Sequence, residues 1–159
     1  MKVDVPYGKE HRTVEIADKN LVGVYYPNEV ETKSADETIN SVLREKEFSK
    51  FMETNEKVVF IINDGTRPTP TAKVLKEIYK DIKDKDLLFI VATGAHRPPT
   101  EEEYHYILGK EIYEELLEKG RIIAHNAKKD ETVYLGKSKN GTEMYINKVV
   151  AEAKKVVVI

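Results

Sequence analysis

Asp64 and Arg67 stand three residues apart in Asn63-Asp64-Gly65-Thr66-Arg67-Pro68-Thr69-Pro70, directly after the apolar run Val58 to Ile62. An arginine there offers a planar fork to a carboxylate or phosphate, and the free backbone amides of a following helix start would reinforce it. A second apolar run, Leu87 to Ala92, ends in Thr93-Gly94-Ala95-His96-Arg97-Pro98-Pro99-Thr100. Gly94 carries no side chain to obstruct a ligand, and His96 is the residue type best suited to trade protons near neutral pH. Such a general acid–base group contributes roughly 10²–10⁴-fold in rate. His125, after a third run from Arg121 to Ala124, either joins the same rim or makes an ordinary polar turn with Asn126 and Lys128. The plainer alternatives are that Arg67 pairs with Asp64 in a proline-stiffened turn and that His96 only hydrogen-bonds backbone.

These residues matter together only if the runs before them are neighbouring strands. Open α/β sheets bind ligands at the carboxyl ends of their strands. The spacing predicts three strand–loop–helix units: Val58 to Ile62 with a helix from about Pro70 to Tyr79, Leu87 to Ala92 with a helix capped by Thr100 and Glu103, and Arg121 to Ala124 leading into His125-Asn126. Helical periodicity between them argues for parallel pairing. Ahead of these units, Ser34 and Glu37 have capping-box spacing for a helix that ends near Glu47. The first 26 residues read as a small antiparallel β lead-in, with runs at Lys2 to Pro6, Thr13 to Ile16 and Leu21 to Tyr26, and His11 in a turn. Thr132 to Lys137 and Thr142 to Ile146 flank Asn140-Gly141 as a β-hairpin, and Asn147 can cap a short helix. The last residues, Lys155 to Ile159, read as a buried parallel strand. A chain that stops inside such a strand is expected to be a piece of something longer. The fold class expected is α/β, a Rossmann-like, mainly parallel sheet flanked by helices, with residues 1–159 forming a single domain.

Composition removes several alternatives. A formal charge of −2, with Lys and Glu mixed along the chain, provides no basic stripe for nucleic acid. Zero cysteines exclude disulfides, thiolate catalysis and a Cys-built metal site. There is no His-Glu-x-x-His set, no G-x-G-x-x-G and no Walker loop, so no intrinsic metal site and no ordinary nucleotide site is expected. No stretch approaches the roughly 18 apolar residues of a membrane span, and the amino terminus lacks the apolar core of a signal peptide. A soluble cytoplasmic protein is the expectation.

The Tyr7-Gly8 turn, Asp64-Gly65-Thr66-Arg67-Pro68-Thr69-Pro70, Gly94-Ala95-His96-Arg97 with Thr100-Glu101-Glu102-Glu103, His125, and Gly141 to Lys148 together resemble the nickel-dependent lactate racemases and their 2-hydroxyacid racemase relatives. The resemblance implies a cofactor, the nickel pincer nucleotide, to which hydride passes and from which it returns, and a small 2-hydroxy acid substrate. It implies that Arg67 orients the substrate carboxylate, that His96 removes and returns the hydroxyl proton, and that Asp64, Thr66, Gly94, Arg97 and His125 support the loops or the cofactor's surroundings. The family's cofactor-attaching lysine, nickel-ligating histidine and second acid–base histidine lie beyond the matched region. The implied protein therefore has a C-terminal domain that binds most of the cofactor, and this chain alone is expected to be inactive. Where the family has His-Asp at the third strand end, this sequence has His125-Asn126.

Two other readings compete. A non-catalytic anion-binding or assembly module would use Arg67 and Arg97. A haloacid-dehalogenase-like phosphatase would need an aspartate two residues before Asp64, where this sequence has Ile62, which cannot form an aspartyl phosphate.

Overall fold

The computed structural model describes residues 1–30 and 33–159. The chain divides into two compact units, Met1–Thr32 and Lys33–Ile159. The first contains an antiparallel hairpin of β1 (Lys2–Tyr7) and β2 (Glu10–Glu15), in which Tyr7 pairs with Glu10. Gly8 makes the reversal with φ 64°, a conformation that costs glycine nothing. His11 lies within β2 rather than in the turn. The third expected run, Leu21 to Tyr26, is not a strand, and Val22, Tyr25 and Tyr26 are exposed. Alternating apolar residues make a strand only when a neighbour satisfies their backbone groups.

The second unit is built on a four-stranded parallel sheet. Its strands are β3 (Val58–Ile62), β4 (Leu87–Val91), β5 (Ile122–Ala124) and β8 (Lys155–Val158), in the order β5-β4-β3-β8. The central pair, β3 and β4, are nearly continuous aliphatic and aromatic sequence, as strands covered on both faces require. Alternate residues Val58, Phe60 and Ile62 of β3 and Leu87, Phe89 and Val91 of β4 join one core with helix residues Leu75, Ile78, Ile82, Ile107, Leu108 and Leu116. Phe60 and Phe89 stack at 4.8 Å between ring centroids at its centre. Burial of each such side chain stabilises the fold by about 1.5–3 kcal/mol. The α/β, mainly parallel expectation holds.

Helices α1 (Ala35–Glu45), α2 (Phe48–Phe51), α3 (Thr71–Ile82), α4 (Glu101–Leu108) and α5 (Lys110–Glu118) occupy the connections. The capping boxes expected at Ser34/Glu37 and Thr100/Glu103 both form, each with its side chain and backbone bonds reciprocated. The helix after Thr100 is two helices, because Gly109 takes φ 81° and breaks the run. Strands β6 (Thr132–Lys137) and β7 (Glu143–Asn147) make the expected hairpin, with a bulge between Tyr134 and Gly136. The side chain of Asn147 then caps α6 (Lys148–Ala151) by accepting from the Val149 amide. Strand β8 is parallel as expected but lies at the edge of the sheet, with Val158 exposed, rather than buried.

Candidate active site

The parallel register of β3 and β4, Ile62 opposite Val91, sets the two polar corners side by side at one end of the sheet. Asn63 closes the first corner. Its amide donates to the carbonyls of Asp64 (2.8 Å) and Arg67 (3.2 Å), while its carbonyl oxygen accepts from the buried Thr71 hydroxyl at 2.6 Å. A tether from loop to helix start of this kind fixes where Asp64 points.

Asp64 is buried, and both its oxygens are engaged. Oδ1 accepts from the Thr66 hydroxyl (2.7 Å) and amide (3.2 Å), and Oδ2 lies 2.6 Å from Nδ1 of His96. The hydrogen bond from His96 is the main reason the Asp64 carboxyl sits below its ordinary value of 3.8; burial opposes it, and the Thr66 hydroxyl and amide add to it. A carboxylate that accepts from Nδ1 fixes the imidazole tautomer and leaves the Nε2 lone pair as the basic site. The His96 side chain is 55% exposed, so that basic site opens to solvent while its support is buried.

Asp64, Gly65, Thr66, His96, Arg97, Pro99 and Glu103 line one hollow of about 220 Å³. Arg97 is held by Glu103 through two parallel bonds of 2.7 and 2.9 Å. Arg67 is exposed, does not line the hollow, and its guanidinium has no hydrogen-bond or ion-pair partner among the described residues. It does not pair with Asp64, whose oxygens belong to His96 and Thr66; only its backbone amide reaches the Asp64 carbonyl, at 3.3 Å. His96 thus bonds a carboxylate through its ring rather than backbone alone, and Arg67 does not make the expected turn pair with Asp64.

Gly94 also has a backbone reason to be glycine. Its φ is 57°, and a Cβ there would meet nothing within 4 Å. A positive φ of this kind is one that glycine adopts without strain. The glycine in close contact is Gly65, where an added Cβ would lie 2.9 Å from Cγ and Cδ of Glu103.

His125 lies outside this hollow, at the end of β5, in a second cluster. Its Nδ1 is 3.0 Å from Asp130 Oδ2, which also accepts from the Asn126 amide (2.8 Å) and the Asn147 side chain (2.9 Å). Asn147 Nδ2 is also 3.0 Å from the same ring nitrogen. One nitrogen cannot both donate to the carboxylate and accept from the amide, so we assign the proton to His125 Nδ1 and both donations to Asp130. The Asn126 amide is the largest reason that the Asp130 carboxyl is depressed. The carboxylate in contact with His125 is therefore that of Asp130, five residues on. Buried Thr93 stitches the loop after β4 to the loop after β5, its hydroxyl donating to the His125 carbonyl.

Asp64→Asn tests the electrostatics of the first cluster. Since the folded-state carboxyl is depressed, its stabilisation is present above the unfolded value and is lost as pH falls from about 3.8 through the folded one. The variant should therefore show a shallower loss of stability below about pH 4, read from urea denaturation at successive pH values; an unchanged slope refutes the coupling.

Fold and site together define a parallel α/β domain with carboxylate-backed imidazoles at the carboxyl ends of its strands. The chain belongs to the lactate racemase N-terminal domain family, whose model matches residues 7–159. Among curated relatives it is 28% identical to a lactate racemase of Lactiplantibacillus plantarum, over 95% of this chain and 38% of the relative. With a lactate racemase of Thermoanaerobacterium thermosaccharolyticum the identity is 27%, over 95% of this chain and 37% of the relative. The solved lactate racemase apoprotein of the latter organism shares the fold, with a TM-score of 0.75 at 24% identity over 99% of this chain and 38% of that one. The chain thus spans well under half the length of the relatives it matches. The phosphatase alternative fails on chemistry, since Ile62, the last residue of β3, carries no carboxylate. The two-arginine anion site loses Arg97, which Glu103 engages.

Proposed function

We propose that this domain is the amino-terminal part of a 2-hydroxyacid racemase of lactate type, a cytoplasmic enzyme completed by a C-terminal domain. The observation that carries the reading is the 2.6 Å contact between His96 Nδ1 and Asp64, in a chain of the lactate racemase N-terminal domain family. His96 Nε2 takes the proton of the substrate hydroxyl on one half-reaction and returns it on the other, while Asp64 holds the ring and stabilises the imidazolium. Arg67, with its fork uncommitted, binds the substrate carboxylate in two parallel hydrogen bonds. Thr66 and Asn63 keep the Asp64 corner rigid; Thr93, Asp130 and His125 support the neighbouring loop.

When bound, the nickel pincer nucleotide would supply the hydride-accepting chemistry. Among the described residues no group of three or more His, Asp or Glu side chains is placed to hold a metal ion, so the residues of this chain do not fit the nickel and none is assigned to it. Cofactor binding falls to the C-terminal domain, and residues 1–159 alone are inactive. Among the described residues no helix is long and apolar enough to cross a membrane.

The test is a chiral assay of the full-length, nickel-cofactor-loaded protein with D- and L-lactate and longer 2-hydroxy acids. Interconversion of the enantiomers supports the reading, and a loaded enzyme that racemises none of them refutes it. In the same assay Arg67→Ala should cost about 1.5–3 kcal/mol, the range for a hydrogen bond to a charged group, or roughly 10–150-fold in kcat/KM. Arg67→Lys should recover only part, because an ammonium retains charge but not the fork. Wild-type kcat/KM in both variants would remove Arg67 from the site.

A further inference from the structure

Glu103 makes more contacts than a helix cap needs. It completes the capping box at Thr100, accepting from the Thr100 amide at 2.8 Å, and the same carboxylate grips Arg97 with both oxygens. Arg97 follows His96 in the chain, and its guanidinium also donates to the Pro98 carbonyl at 2.9 Å, which folds the loop back on itself. On its other side the Glu103 stem lies on Gly65, the neighbour of Asp64, at a distance that leaves no room for a β-carbon. Gly65 is not among the residues of positive φ, so its backbone places no demand for glycine. The requirement is space for Glu103. An exposed ion pair adds little stability by itself, and the Arg97 side chain is 63% exposed. What the arrangement supplies is geometry: one side chain touches both corners that carry the acid–base pair.

We propose that Glu103 is a positioning residue for the His96 imidazole, clamping the 64–67 corner to the 93–97 corner and so fixing the separation of Asp64 and His96. Gly65 and Arg97 are the two surfaces on which it bears. The relevance to turnover rests on the reading of His96 as the proton acceptor, but the positioning itself is testable without turnover.

The experiment uses the 159-residue chain, with ¹⁵N-labelled histidine to read the His96 tautomer and ¹³C-labelled carboxylates to follow Asp64. Arg97→Ala removes one bearing surface, Gly65→Ala disturbs the other, and Thr100→Ala weakens the helix cap while leaving both bearing surfaces in place. His96→Ala gives the Asp64 titration without any imidazole. In Arg97→Ala and Gly65→Ala the Nδ1–H preference of His96 should be lost and the Asp64 midpoint should rise toward that of His96→Ala. Thr100→Ala should lower the melting temperature and leave both signals as in wild type. The proposal is overturned if either bearing-surface variant, folded by circular dichroism, keeps the wild-type tautomer and Asp64 midpoint. It is equally overturned if Thr100→Ala shifts them as far, since capping alone would then account for the effect. A collapse of wild-type racemase activity in other tests would leave these signals untouched, so the two readings fail separately.

Discussion

His96→Ala in the full-length, cofactor-loaded enzyme is expected to lower turnover by roughly 10²–10⁴-fold. The size follows from what the residue does and does not touch. Its side chain is more than half exposed and its described hydrogen bond is with Asp64, so its removal leaves the core intact. Asp64 keeps two donors from Thr66, and water can enter where the ring stood. The far-UV spectrum should therefore match wild type and the melting temperature should move little, while both directions of the chiral assay slow together. Since Asp64 acts on the substrate only through the ring, Asp64→Asn added to His96→Ala should produce little further loss, the non-additivity expected of groups that work as a unit. Undiminished turnover in the single variant would dismiss His96 as the proton acceptor; a fully additive double variant would give Asp64 a role of its own.

Phe60→Ala should have the largest effect on stability. Phe60 and Phe89 are both fully buried, stacked with 18° between their planes, and each belongs to one of the two central strands. Truncation leaves a void in a close-packed interior and costs about 3–5 kcal/mol. Against a total of roughly 5–15 kcal/mol for a typical domain, this is a large share. The strands displaced are those that end in the Asp64 and His96 corners, so the dyad should loosen before the domain unfolds. Urea denaturation followed by far-UV circular dichroism measures the loss, and Phe60→Leu, which leaves a smaller void, should lose less. An unchanged midpoint in Phe60→Ala would mean that the stack does not organise the core.

The central strands were legible because their signal is local: Val58–Ile62 and Leu87–Val91 are unbroken apolar runs bounded by polar turns. The same holds for the caps at Ser34, Thr100 and Asn147, whose partners lie two or three residues away. Leu21 to Tyr26 misled because a short apolar run says nothing of whether another strand lies beside it. The helix break at Gly109 uses φ 81° with ψ 146°, an extended glycine conformation that a lone glycine in a helical run does not by itself specify. At the site, the residue types of Asp64 and His96 were visible, but the bond between them spans 32 positions and follows from the register of β3 and β4. Asp130, the carboxylate behind His125, lies only five positions on, but Asn147, which donates to that carboxylate, is 17 positions from it and is brought there by the β6–β7 hairpin. Glu103 was recognised for its cap and not for its grip on Arg97, since capping spacing already accounted for it.

Thr93 carries a mechanical implication. Its side chain anchors to the His125 carbonyl, and its own carbonyl receives the His96 amide at 2.9 Å, so the loop after β4 is pinned at its root. The first residue past that pin is Gly94, whose missing β-carbon would have faced open space. Any swing of the imidazole toward a visiting molecule must therefore pivot downstream of the threonine, leaving the strand beneath it undisturbed.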